Sequence, residues 1–365
     1  MTYISRRNAI GLLAGATTAT LATPSLAQAK PKIAFILNGT PGDVGWNYEH
    51  ERGIAQAKAA FGDQTQIDTF YGVKEWGEED AAQLETLSGQ GYDMIFACSF
   101  GYMQSMMQAA FAAPDIKFEH CGGFVRTGNM STYSARWYEG RVPQGLIAGT
   151  MTKTNKIGYL ASFPIPQILR GINAAYLAAK SANPDVEFEV VWLNSWFSPE
   201  REEEVSRQLI ANGADVLLAH TNSTKPTEVA EDLGAFAFGQ ASDMSAYGPN
   251  ATLSATINNW GPYYVRQIGA MLDGSWSSTN TWGGFADEMI AAGEFSDQMP
   301  NRLFLKAADT VERLGAGQMN PFVGPVRRQD GSAWLAPGET ASDRDLLKMD
   351  FFVEGLTGVI PSTGN

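Results

Sequence analysis

Six aromatic residues of this chain stand just past a short apolar run that reads as a β-strand. Trp46 follows residues 33–37, Trp76 follows 66–71, and Phe100 follows 94–98. Phe163 follows 156–161, Trp196 follows 188–193, and Trp260 follows 253–257. In open α/β sheets, ligands sit beyond the carboxyl ends of the strands. Two such sheets facing each other would wall a cleft with flat rings, and the chemistry of such a cleft is stacking on a flat, ring-shaped ligand.

Other chemistries find less support. The chain has no G-x-x-x-x-G-K-[ST] phosphate loop, no G-x-G-x-x-G after a strand and no H-E-x-x-H. His50, His120 and His220 lie far apart in sequence, so a metal centre would need folding to gather them. No metal and no cofactor is expected. Ala97-Cys98-Ser99-Phe100-Gly101 resembles a G-x-S-x-G turn, which would make Ser99 a nucleophile. Ala97 replaces the first glycine of that motif, so Ser99 is read as shaping the turn or hydrogen-bonding a ligand. A secreted hydrolase using Ser99 stands as the rival reading. The loop after the first strand runs from Asn38 through Asp43 to Trp46 and Asn47, and its glycines let the backbone approach a ligand closely. Asp43 could cap the next helix and Trp46 could pack on it, but with five further strand-end aromatics a binding loop is the better reading.

The elements that must position these residues alternate from residue 32 onward. Residues 33–37 and 94–97 are continuous apolar runs, as expected of strands covered on both faces. Ile54, Ala57 and Phe61 recur at helical spacing, residues 103–112 read as a helix stopped by Pro114, and a longer helix over 138–152 closes the first half. The pattern restarts at residue 156. Ser198-Pro199-Glu200 opens a helix with an N-cap, a first-turn proline and acidic residues at its positive end, and Asn212-Gly213 closes it. Such alternation is the signature of doubly wound parallel sheets. The predicted domains are 31–152 plus about 261–300 for one lobe, and 153–260 plus part of 301–365 for the other.

At 365 residues, 44% of them hydrophobic and 18% charged, the chain is long enough for two domains with a large core. A formal net charge of −13 argues against binding nucleic acid, which needs clustered Lys and Arg. Ser5-Arg6-Arg7-Asn8 precedes a small-residue apolar stretch over 9–26, and Ala27-Gln28-Ala29 offers a cleavage site. Residues 1–29 are therefore predicted to be a twin-arginine-like export signal, cleaved to leave a periplasmic protein. No cysteine stands at the cleavage site, so no lipid anchor is expected. Cys98 and Cys121 each end a predicted buried strand and lack C-x-x-C spacing; they read as buried thiols, although the periplasm would permit a disulfide.

At the loop after the first strand the sequence resembles the basic membrane protein family of substrate-binding proteins for ABC importers. Asp43-Val44-Gly45-Trp46-Asn47 stands where that family carries an acidic residue followed by Ser-Phe-Asn. Gly91-Tyr92-Asp93-Met94, Lys153-Thr154-Asn155-Lys156, Gly213-Ala214-Asp215-Val216, Gly239-Gln240-Ala241-Ser242-Asp243 and Pro321-Phe322-Val323-Gly324-Pro325 extend the likeness, in order, over nearly the whole chain. The resemblance implies a periplasmic binding protein of type I, with two lobes joined by crossover strands. It implies a solute receptor, not an enzyme, that docks on a membrane permease and is a monomer by the family's habit. By the same resemblance a ring from each lobe sandwiches a purine nucleoside or purine base. Trp46 and Trp196 match the two rings, Asp243 the residue that holds ribose hydroxyls, and Asp43 and Asn47 the positions that bind the base edge or support the loop. Asn38, Ser99, Phe100 and Phe163 complete the expected ligand-binding set. The chain has Gly42-Asp43 where the family has two acidic residues, and Asn258-Asn259 where it often has a lysine. Those departures make a free purine base or an oxopurine plausible, with a flavin, a sugar or an autoinducer as alternatives.

Overall fold

The computed structural model describes residues 29–40 and 44–362 of the chain. The expected export signal lies outside the described residues except for its last position, and so does Asp43.

From the amino end the elements are β1 (Lys32–Ile36), α1 (Trp46–Phe61), β2 (Gln66–Phe70), α2 (Glu78–Gly89), β3 (Met94–Ala97), α3 (Met103–Ala112), β4 (Lys117–Cys121), β5 (Met130–Ala135) and α4 (Trp137–Met151). A second round follows with β6 (Lys156–Ala161), α5 (Pro166–Ala182), β7 (Glu187–Trp192), α6 (Pro199–Ala211), β8 (Val216–Ala219), α7 (Lys225–Leu233), β9 (Phe236–Ala241), β10 (Thr252–Asn258) and α8 (Gly261–Asp273). The chain then adds β11 (Asn280–Gly283), β12 (Ile290–Ala292) and α9 (Asn301–Gly315).

Two sheets result. The first has the order β11-β5-β4-β3-β1-β2 with all pairings parallel. The second has the order β12-β10-β9-β8-β6-β7, parallel except where β12 runs antiparallel to β10. Apart from the added edge strands, both repeat one doubly wound order, so each has a switch point, between β1 and β3 and between β6 and β8. That is where a crevice opens beyond the strand ends. The central strands are buried on both faces, as their unbroken apolar runs require: Ile33, Ala34, Phe35 and Ile36 have essentially no exposure.

Two helices cross between the sheets. Helix α4 follows the first sheet in the chain but packs against α5 and α9 on the second. The longer helix expected to close the first half therefore belongs to the core of the other lobe. Small residues explain the fit: a Cβ on Gly145 would lie 2.1 Å from the Ala175 carbonyl oxygen, and one on Gly149 2.5 Å from that of Ala179. The two helices touch backbone to backbone, which a side chain at either glycine would prevent. Conversely, α8 follows β10 of the second sheet and packs on α1, where Tyr263, Tyr264 and Ile268 join the core around Phe35 and Phe96. The carboxyl-terminal segment is tied to the second lobe. Asn173 donates from Nδ2 to the Phe351 carbonyl at 2.9 Å and accepts from Val353 N at 3.1 Å.

Candidate functional site

The first lobe supplies one wall of a pocket from its strand ends. Asn38 follows β1, Trp46 opens α1, Ser99 and Phe100 follow β3, and Gly122 follows β4. These side chains are already committed to one another. The Trp46 indole N–H donates to the Cys98 carbonyl at 2.7 Å. Asn38 Nδ2 donates to Glu75 Oε2 at 3.0 Å and to Ser99 Oγ at 3.3 Å. Beneath them lies a cluster of rings, with Trp46 edge-on to His50 at 4.9 Å and to Trp260 at 5.7 Å, and His50 stacked on Trp260 at 5.1 Å. Burial pushes the His50 imidazole down to about 3, so it is neutral.

The opposite wall comes from the second lobe: Gln167 in the first turn of α5, Trp196 after β7, His220 and Asn222 after β8, and Gln240 near the end of β9. Trp137, at the start of α4, also lines the pocket and donates from its indole to Asn258 Oδ1 at 2.7 Å. Behind Gln240 lies Arg141, fully buried. Its guanidinium donates to Gln144 Oε1 at 2.6 Å, to the Ala219 carbonyl at 2.7 Å, and to Gln240 Oε1. Burial, with Arg141 and Arg170 nearby, holds His220 well below the ordinary histidine value, so it too is neutral. The indole N–H of Trp196 and Nδ1 of His220 are buried with no hydrogen-bond partner in the protein. Buried polar atoms of this kind cost free energy until something pairs with them.

The walls meet. Ser242 Oγ, just after β9, donates to the Val44 carbonyl in the loop before α1. A Cβ on Gly45 would stand 2.5 Å from the Asn222 carbonyl oxygen, so only glycine permits this approach. The space between the walls, part of it open to solvent, amounts to about 430 Å³. Trp76, Phe100, Phe163 and Trp196 line a second hollow adjoining its mouth.

The profile of the family described as ABC transporter substrate-binding protein PnrA-like (Bmp) matches residues 30–320. The chain belongs to this family. A purine-binding protein of Brucella abortus is 42% identical over 335 residues, covering 92% of this chain and 95% of that protein. A putative ABC transporter glucose-binding protein of Haloferax volcanii is 31% identical over 330 residues, covering 90% of this chain and 81% of that protein. The crystal structure of an ABC transporter solute-binding protein from Aeropyrum pernix superposes with a TM-score of 0.69 at 16% identity, covering 81% of this chain and 94% of that one. The fold is that of the type I periplasmic binding proteins. Members of the Bmp family bind small molecules outside the cytoplasm and deliver them to an ABC permease; they are solute-binding proteins and not enzymes. Among the described residues no helix is long and apolar enough to cross a membrane.

Within this Bmp receptor, five of the residues expected at the site line the one pocket: Asn38, Trp46, Ser99, Phe100 and Trp196. Phe163 lies in the adjoining hollow, its ring 4.9 Å from that of Trp196. Asn47 is buried in the first turn of α1 and does not line the pocket. Asp243 is exposed; its carboxylate accepts from Ser245 N at 2.9 Å, closing a turn outside the lining. Its charge faces Glu49, whose carboxyl burial pushes up to about 7 against the pull of Arg52. Trp260, one of the six strand-end aromatics, is wholly buried among the first-lobe rings, because the chain there is already turning into α8. Among the described residues no histidine bonds Ser99 Oγ; His120 Nε2 instead meets the Ser99 carbonyl at 2.9 Å. Cys98 and Cys121 are free, buried thiols.

Trp137, Gln167, His220, Asn222 and Gln240 were not singled out as ligand contacts. Trp137, His220 and Gln240 stand within two residues of a strand's carboxyl end and Asn222 within three, so the strand-end rule would have found them if applied to every strand and to polar side chains as well.

Proposed function

We propose that the chain is the solute receptor of an ABC importer for a purine base or nucleoside, which Trp46 and Trp196 hold between them by stacking. The observation that carries this reading is that these two indoles, supplied by opposite lobes, line the same pocket. Only the closed arrangement lets both rings meet one ligand, so a flat ligand stabilises closure by its differential contact with the two states. The neutral polar groups around the rings read the ligand's edge. No carboxylate lines the pocket among the described residues, and Asp243 stands outside it, so a free base fits the walls better than a nucleoside held by its ribose. The protein reaches the periplasm through a signal over residues 1–29, cleaved after Ala29.

The Haloferax relative's name raises a sugar as the second reading. Isothermal calorimetry against purine bases, nucleosides, riboflavin and hexoses separates the two. Micromolar or tighter binding is expected for a purine and none for glucose. Trp196→Ala should weaken purine binding about 30- to 100-fold, roughly 2–3 kcal/mol of lost ring burial and stacking, with no change in thermal midpoint. Wild-type affinity in that variant, or a preference for glucose, would refute the sandwich.

A further inference from the structure

We propose that the second-lobe wall is built to receive a carbonyl-type acceptor, so that the receptor selects oxopurines over aminopurines, with Arg141 as the positioning residue that sets this preference. The inference rests on the purine reading above and names the subclass.

The argument begins with a group that has no choice of role. A guanidinium has five N–H donors and no acceptor. Arg141 is buried and donates to Gln240 Oε1, so the Gln240 amide is held with its oxygen toward the arginine. The polar atom that Gln240 can then offer to the pocket is Nε2, a donor. Gln144 bonds another Arg141 nitrogen at 2.6 Å, and the Ala219 carbonyl holds the guanidinium at 2.7 Å, so the arginine itself is fixed. Gln167 and Asn222 carry amides that can turn, and neutral His220 can either donate or accept. Among these side chains Gln240 alone has a settled role on this wall, and it is a donor.

The first wall complements it. Asn38 spends both Nδ2 hydrogens on Glu75 and Ser99, which leaves Oδ1 as its acceptor. A lactam presents an oxygen acceptor beside a ring N–H donor and can satisfy a donor wall facing an acceptor. An aminopurine reverses that pair, setting an amino donor against a donor wall. A buried donor left without a partner discriminates by about 5- to 150-fold.

The test is calorimetry with hypoxanthine, adenine and unsubstituted purine. The wild type should bind hypoxanthine at least tenfold more tightly than adenine. Gln240→Glu keeps an acceptor for Arg141 and deletes the donor. It should lose at least tenfold in hypoxanthine affinity while purine changes less than threefold. Arg141→Lys frees the Gln240 amide to turn and should move the hypoxanthine-to-adenine ratio toward unity, a shift that a purely structural role would not produce. If the wild type binds all three within threefold or prefers adenine, or if the variants weaken all three in proportion, this inference is overturned while the purine reading stands. If the wild type binds none of the three, this inference is overturned; if it binds no purine nucleoside either, the purine reading falls with it.

Discussion

The two indoles that line the pocket from opposite lobes are held in opposite ways. Trp46 is finished by the fold: its N–H meets the Cys98 carbonyl at 2.7 Å, and its ring is braced by His50, Trp137 and Trp260. Trp196 is unfinished: its N–H is buried without a partner, and its ring has Phe163 as its ring neighbour, at 4.9 Å. One wall has its ring bonded and braced within the protein, and the other keeps buried polar atoms without a partner. Preorganising one side reduces the ordering that binding must offset, and leaving polar atoms unpaired on the other makes closure depend on a partner of the right kind.

This contrast can be broken at several points. Trp260 is the fully buried ring beneath Trp46, so Trp260→Ala should lower stability to urea by about 3–5 kcal/mol, whereas Trp196→Ala should leave stability nearly unchanged. Equal stability in the two variants would remove the distinction between a braced wall and an open one. Gly45→Ala puts a methyl group 2.5 Å from the Asn222 carbonyl oxygen where the walls meet. Its expected effect is about a tenfold weaker affinity, about 1.4 kcal/mol, at unchanged stability. Unaltered binding would show that this contact plays no part in closure. Trp46→Phe deletes the bond to the Cys98 carbonyl and should cost about 1 kcal/mol of stability with a small loss of affinity. Denaturation and calorimetry on Trp46→Phe beside Trp196→Ala sharpen the comparison, since the latter should lose affinity and not stability.

The strand–helix alternation was legible because each central strand is a continuous apolar run, and burial on both faces demands one. The place of the site was legible for the same reason: residues just past strand ends face the crevice. The rule failed at Trp260, where the chain is already turning into α8 and tucks under α1. It also passed over His220, Asn222 and Gln240, because polar residues at strand ends look locally like turn residues. Asp243 keeps its sequence likeness yet stands outside the lining, since the turn closed by Ser245 carries it away from the pocket.

Local sequence determined the units of this protein: which runs become strands, which turns end them, and which rings sit at their ends. Those choices depend on neighbours within a few residues, through periodicity, capping and the burial that an apolar run requires. Only the tertiary structure decided that α4 and α8 exchange lobes, that Arg141 lies behind Gln240 and fixes its amide, and that one tryptophan's N–H is satisfied while its counterpart's is not. Those outcomes join residues tens to more than a hundred positions apart, and they arise from small residues that let two helices touch and from the closeness of two separately built walls.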